Sequence, residues 1–167
     1  DMALGAEIVD LVRLDLARAL ALHGEWDEID LLTAAAPEGH EAGNWLERAR
    51  FALWRRDVRA AASGLCIVPA DPTGPVALAK ELFEVVGRGE EPFHKPAYRA
   101  FLLGSRRTPR REAFAAQIEA EISLALGRPA EALDAIARAM SLGLSDLAWL
   151  NHCPLLAPIE GSAPLEA

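Results

Sequence analysis

Two arginines occupy matching positions in the chain. Arg18 and Arg50 each lie six residues before a turn, the first at Gly24 and the second at Arg56. If both arginines lie on the first helices of successive helical pairs, the two guanidinium groups lie side by side. Like charges at that separation repel each other unless an anion is shared between them, and the arginine fork pairs well with carboxylates. The spacing therefore predicts a site for an acidic peptide or a partner's terminal carboxylate.

A local alternative for the same two arginines stays open. Glu7, Asp15 and Glu47 are near enough in sequence to neutralise them in exposed ion pairs, which are common and contribute little. If the arginines bind a partner, replacing both with alanine is expected to weaken binding and leave thermal stability nearly unchanged. If they are structural, the same double replacement is expected to unfold the chain.

Other charged clusters have a plain interpretation beside a functional one. Four arginines between positions 106 and 111 form the densest basic cluster. They are interpreted as a solvated linker or, alternatively, as a contact for an anion or an acidic peptide. Acidic runs at 25–30 and 81–91 are typical of solvated helix faces.

Histidine and cysteine spacing indicates neither a metal centre nor a nucleophile. None of the four histidines recurs at helical spacing with another histidine or a cysteine. Cys66 and Cys153 lie far apart and without a supporting motif. Residues 87–89 lack the strand and the lysine that a phosphate loop requires. We therefore expect no catalytic residue, no cofactor and no metal, and we expect that the chain is not an enzyme.

Composition limits the class of protein and its partners. The chain has 167 residues, of which 51% are hydrophobic, so it can bury a real core. The net charge of -8 disfavours nucleic acid and anionic membranes as partners. No apolar run is long enough to cross a bilayer, and no secretory signal is visible. A cytoplasmic location is expected, and the start at Asp1 suggests a piece excised from a longer protein.

Apolar residues recur at helical spacing along the chain, and no strand pattern competes. The predicted helices cover 3–22, 26–35, 44–54, 58–68, 76–86, 97–103, 110–126 and 129–141, with a short helix at 145–151. Turns between paired helices are predicted at Gly24, Arg56, Gly87 and Gly127, which are 32, 31 and 40 residues apart. The first two intervals nearly agree and a longer linker at 105–111 accounts for the third, which indicates a repeated helical pair.

The clearest pair runs from Glu119 to Pro154. Gly127 can end a helix in the left-handed conformation, and Pro129 suits the first turn of the next. One apolar stripe is predicted on the second helix, at Ala132, Leu133, Ile136, Ala137 and Met140. It is expected to pack on Ala116, Ala120, Leu124 and Leu126. Alanines at the crossing allow two helix backbones to approach closely.

These features resemble the tetratricopeptide repeat over nearly the whole chain. The fourth pair matches the family pattern at Ala120, Gly127, Ala132 and Ala139. The second pair matches at Trp45, Ala49 and Ala61, and the first at Leu16, Ala17, Gly24 and Ala36, with Ile29 where alanine is usual. The third pair departs most, because Lys80 replaces a small residue and Pro92 interrupts its second helix.

The segment from Leu144 to Pro158 resembles the end of tetratricopeptide regions in large bacterial signalling proteins. Those proteins include serine/threonine kinases, nucleotide cyclases and ATPase-type transcription regulators. The resemblance implies a regulatory or docking module that accompanies a separate catalytic domain.

The resemblance also implies an architecture and a binding face. The expected fold is an all-α solenoid of about four antiparallel helix pairs, forming one domain over 1–167 with a right-handed superhelix. The implied groove residues are Arg18, Leu22, Arg50, Trp54, Glu81, Glu84, Gln117 and Glu121. Trp54 lies near a helix end and is a candidate anchor for a partner. These residues differ from the lysine and asparagine clamp of chaperone-binding members, so a chaperone tail is not the expected ligand.

The function expected from these features is a non-catalytic protein-interaction module with a protein or peptide ligand, acidic at the arginine end. Two alternatives stay open. One is a structural spacer or oligomerisation element, for which the chain forms a homo-oligomer. The other is a small-molecule sensor that uses the groove as a pocket.

Overall fold

The described part of the chain is entirely helical. The computed structural model describes residues 2–34, 45–57, 59–60, 84–90 and 108–159, and no strand occurs in these ranges. The helices are α1 (Met2–Leu22), α2 (Trp26–Ala34), α3 (Trp45–Trp54), α4 (Pro109–Ala125), α5 (Pro129–Ser141) and α6 (Leu147–His152), followed by a 3-10 turn at Ala157–Ile159. Residues 59–60 and 84–87 are also helical. The predicted all-α class is confirmed.

The predicted bounds of these six helices agree with the structure to within two residues. Local signals account for this agreement. Pro109 begins α4, and the Thr108 hydroxyl accepts the Arg111 N–H at 3.3 Å, as expected for a capped helix start. The predicted helices at 58–68, 76–86 and 97–103 fall mostly or wholly outside the described residues.

The same turn geometry follows several of the described helices. Five residues have a left-handed backbone, namely Gly24, Arg56, Gly89, Gly127 and Gly143. At each, the N–H of that residue donates to the carbonyl three residues earlier, and the following N–H donates to the carbonyl five residues earlier. This pair of hydrogen bonds is the Schellman motif. The chain therefore leaves each of these helices by the same local path.

The third of these turns corrects a prediction. Gly87 was expected to mark it, but residue 87 is helical and the left-handed residue is Gly89, with a φ of 77°. Glycine is tolerated inside a helix, as at Gly87, but it is strongly favoured at the left-handed position of a Schellman motif. That position is occupied by Gly89. The intervals between the first four turns become 32, 33 and 38 residues, which are more regular than the sequence indicated.

The α4–α5 hairpin confirms the predicted close crossing. Ala120, Ala132 and Ala139 are fully buried where the two helices pack. The predicted stripe on α5 is partly wrong, since Ala137 and Met140 are exposed. The buried face of α5 consists of small side chains together with the predicted Ile136, which is fully buried.

The fully buried positions described on α1 are small. Ala17 and Ala21 are buried, whereas Val12 and Leu16 are 62% and 48% exposed. The broad apolar face expected for this helix therefore points partly to solvent. Leucines at positions 20 and 22 pack half-buried beside the alanines, where α1 lies close to its neighbours.

Helix α4 lies at the centre of the described structure. It is buried on every side from Ala115 to Ser123, apart from a half-buried Glu119. Helix α3 contacts both α4 and α1, and α1 contacts both α2 and α6. The C-terminal segment adds Trp149, Leu155 and Leu156 to the core. Helices α1 and α6 therefore contact each other directly, although they are far apart in the sequence.

The two glycines of the third turn are expected to respond oppositely to alanine. At Gly89 an added Cβ meets no atom within 4 Å, so Gly89→Ala carries only the left-handed backbone penalty of about 1 kcal/mol. That cost corresponds to a Tm lower by about 2–4 °C. Gly87→Ala, the matched control, is expected to hold or raise Tm because helices favour alanine. If thermal unfolding shows the reverse order, the turn is at Gly87.

Candidate functional site

A cavity of about 340 Å³ lies between α1, α3, α4 and the 143–146 segment. Its polar lining consists of Asp15, Arg18, Arg50, Arg110, Gln117, Ser145 and Asp146, and its apolar lining includes Leu14, Ala113, Phe114 and Leu144. This volume is within the range of small-ligand pockets. Charged groups converge on a space that also has an apolar wall.

Arg50 and Glu121 form a buried ion pair behind this cavity. The Arg50 Nε donates to Glu121 Oε2 at 3.0 Å, and Nη2 donates to Oε1 at 2.7 Å. Their side chains are 3% and 0% exposed. The rings of Trp54 and Phe114 lie 5.3 Å and 5.5 Å from the guanidinium carbon. The charge on Arg50 is thus matched inside the chain by a bidentate carboxylate and two aromatic faces.

This arrangement corrects the expected role of Arg50. The sequence placed it on an open groove beside Arg18, where replacement with alanine leaves stability nearly unchanged. At 2% exposure it lies in the core, and its partner is a carboxylate 71 residues away. Removing either member leaves a buried charge without its counter-charge, which is strongly destabilising.

Arg18 is in a different setting at the wall of the cavity. It is half-buried, and its Nη2 pairs with Asp146 Oδ2. Asp146 also accepts the Gln117 side-chain N–H at 3.3 Å on Oδ2 and the Trp149 backbone N–H at 3.1 Å on Oδ1. The Nε of Arg18 is buried and has no hydrogen-bond partner among the described residues. Asp146 therefore ties α1, α4 and the start of α6 together.

The two arginines are thus not neutralised by a shared anion. Each pairs with a carboxylate from the second half of the chain, and neither Glu121 nor Asp146 was among the local acids considered. No ion pair to Asp15 occurs in the described structure, and the side chains of Glu7 and Glu47 lie outside it. Pairs separated by 71 and 128 residues leave no spacing signal in the sequence.

The remaining groove candidates have different positions. Leu22 is half-buried, Glu84 is exposed, and Glu81 lies outside the described residues. Trp54 is 2% exposed, so it is a core residue and not an exposed anchor. Of the eight predicted positions, the cavity brings together Arg18, Arg50 and Gln117.

Sequence reasoning did not single out Asp146. The available signal was the Ser145-Asp146 pair before a short helix, which is typical of a helix cap. Arg110 was considered only as part of a basic cluster, and the structure places it at the cavity. No ion pair to Arg110 occurs in the described ranges.

Cys153 is a free and buried cysteine in the described ranges. Burial raises the pKa of the Cys153 thiol above its ordinary value, and the negative charge of Glu121 raises it further. The thiol is therefore protonated at neutral pH, whereas a nucleophile is a thiolate. Within these ranges no three metal-ligating side chains come together, and no helix has the length and apolar character needed to cross a bilayer.

Comparisons with protein-family models, with curated proteins and with solved structures give no match for this chain. Its function is therefore argued from the geometry of its own residues. The two features relevant to function are the buried Arg50–Glu121 pair and Arg18 at the cavity, whose Nε has no acceptor among the described residues.

The buried pair is expected to show strong coupling in a double-mutant cycle. Arg50→Met and Glu121→Leu are each expected to lower the free energy of unfolding by about 3–5 kcal/mol, because each strands a buried charge. The double variant is expected to recover most of that loss. Arg88→Met, which removes an exposed pair with Glu90, is the control, with an effect within about 1 kcal/mol. Additive losses in denaturant unfolding would show that the two charges are not paired.

Proposed function

We propose that this chain is a non-catalytic protein-interaction module built of tetratricopeptide-type helical hairpins. Its ligand is an acidic segment of a partner protein, which binds at the cavity beside Arg18. The proposal rests on this cavity, where the Nε of Arg18 has no acceptor among the described residues and Arg110 lies on the wall. The proposal includes no role in catalysis.

Two structural features support the repeat architecture. The first four Schellman turns recur at intervals of 32, 33 and 38 residues, near the family period of about 34 residues. Buried alanines at the α4–α5 crossing are typical of such hairpins. In an open solenoid each repeat contacts only its neighbours, whereas here α1 contacts α6. We therefore propose a tightly curved stack in which the first pair meets the segment after the fourth.

The unused donor of Arg18, not an excess of positive charge, supports an acidic ligand. Glu121 neutralises Arg50, and the remaining cations of the lining, Arg18 and Arg110, are balanced by Asp15 and Asp146. The chain as a whole carries a net charge of -8, which repels acidic molecules at long range. An acidic segment is therefore expected to bind through short-range, charge-assisted hydrogen bonds to Arg18.

The proposed setting is a cytoplasmic bacterial signalling protein such as a serine/threonine kinase, of which this chain is a regulatory or docking part. The resemblance of residues 144–158 to the closing segment of such regions supports it. A second candidate is a small-molecule sensor, which the volume of about 340 Å³ favours. A structural spacer that forms a homo-oligomer is a third.

The proposal is tested by titrating the chain with an acetylated tetraglutamate peptide in a calorimeter at low salt. Arg18→Gln is expected to weaken binding by at least about tenfold, because it removes charge-assisted hydrogen bonds worth about 1.5–3 kcal/mol. The control is Arg128→Gln, which removes an arginine outside the cavity that pairs with Glu131 and should change affinity less than about twofold.

Equal losses in the two variants would show that the peptide binds by general charge attraction and not at the cavity. Gel filtration with light scattering distinguishes the third candidate, the homo-oligomeric spacer, from a monomeric interaction module. A stable oligomer that binds no peptide would favour the spacer over the interaction module.

A further inference from the structure

The two arginines near the cavity differ in how completely their donors are used. Arg50 places both Nε and Nη2 on the two oxygens of Glu121. Arg18 places Nη2 on Asp146, while its buried Nε has no acceptor in the described structure. Both arginines thus pair with a carboxylate, but the Nε of Arg50 has an acceptor and the Nε of Arg18 has none in the described structure.

The geometry of Asp146 explains the difference. Its Oδ1 accepts the Trp149 N–H at the start of α6, and its Oδ2 is shared between Arg18 and the Gln117 amide. With Oδ1 aimed at the helix cap and Oδ2 shared with Gln117, Asp146 meets the Arg18 guanidinium through one oxygen only. The Arg18–Asp146 pair therefore leaves the buried Nε of Arg18 without an acceptor. A buried donor in that state is unfavourable.

We propose that Asp146 is a built-in competitor for the acidic ligand of this cavity. The ligand's carboxylate replaces Asp146 on Arg18 and accepts from both Nε and Nη2, as Glu121 does from Arg50. The inference rests on the proposed function and adds its regulation. Because Asp146 occupies Nη2 in this structure, the ligand takes that donor only when the Arg18–Asp146 pair has opened.

The rest of the C-terminal segment stays packed when the pair opens. Trp149 is 0% exposed, and Leu155 and Leu156 are each 1% exposed, so apolar burial holds α6 in place. Asp146 can keep the Trp149 N–H while releasing Arg18. The apparent affinity is then the intrinsic affinity reduced by the fraction of molecules in which Arg18 is released.

The test is the affinity of the same tetraglutamate peptide for Asp146→Asn. Asparagine keeps an oxygen for the Trp149 N–H but presents an amide instead of a competing carboxylate. We expect binding to tighten by about fivefold, the equivalent of a half-exposed ion pair. The matched control is Asp15→Asn, which removes one negative charge from the same cavity without touching the Arg18 pair and should tighten binding less than about twofold.

Asp146→Ser is the second variant, because serine also caps a helix, and it must tighten binding as asparagine does. Far-UV circular dichroism confirms that each variant is folded. If the wild type binds and neither variant binds more tightly than Asp15→Asn, Asp146 is structural and the competitor is refuted, while the proposed function stands. If no chain binds the peptide, the proposed function fails and the competitor with it.

Discussion

The buried Arg50–Glu121 pair constrains the rest of this structure. Glu121 lies in the middle of α4, a helix enclosed on nearly all sides, and a carboxylate there is costly without a matched cation. Arg50 on α3 supplies that cation in bidentate geometry, with Trp54 and Phe114 against it. Any packing that shifts α3 along α4 strands both charges. We therefore expect the pair to select one register between the helices more than it adds net stability.

The position of α3 in turn fixes the cavity. Helix α3 contacts both α4 and α1, so α1 lies across the cavity from the Arg50 pair. Asp146 then links α1 to α4 and to the start of α6 through Arg18, Gln117 and Trp149. Two arginines at equivalent places before their turns thus have different roles. Arg50 is structural, whereas Arg18 keeps a buried Nε that has no acceptor among the described residues.

Local features could be predicted from the sequence, and distant pairings could not. Gly127 and Pro129 specify a turn by backbone geometry alone, so the α4–α5 hairpin was predicted within one residue of its bounds. The choice between Gly87 and Gly89 was missed because both residues tolerate either conformation. The carboxylates that meet Arg18 and Arg50 lie 128 and 71 residues away, and their choice depends on how the helices pack. Arg18 was named from the sequence and lines the cavity, whereas its pairing with Asp146 was not predicted.

Arginine side-chain resonances offer the most direct measurement of this division of roles. In a titration of the labelled chain with the tetraglutamate peptide, the Arg18 Nε–H signal is predicted to shift with binding. The Arg50 Nε–H signal is predicted to stay in place and to exchange slowly with solvent, because Glu121 holds it in the core. A rapidly exchanging Arg50 signal that moves with the peptide, beside an unchanged Arg18 signal, would contradict the account.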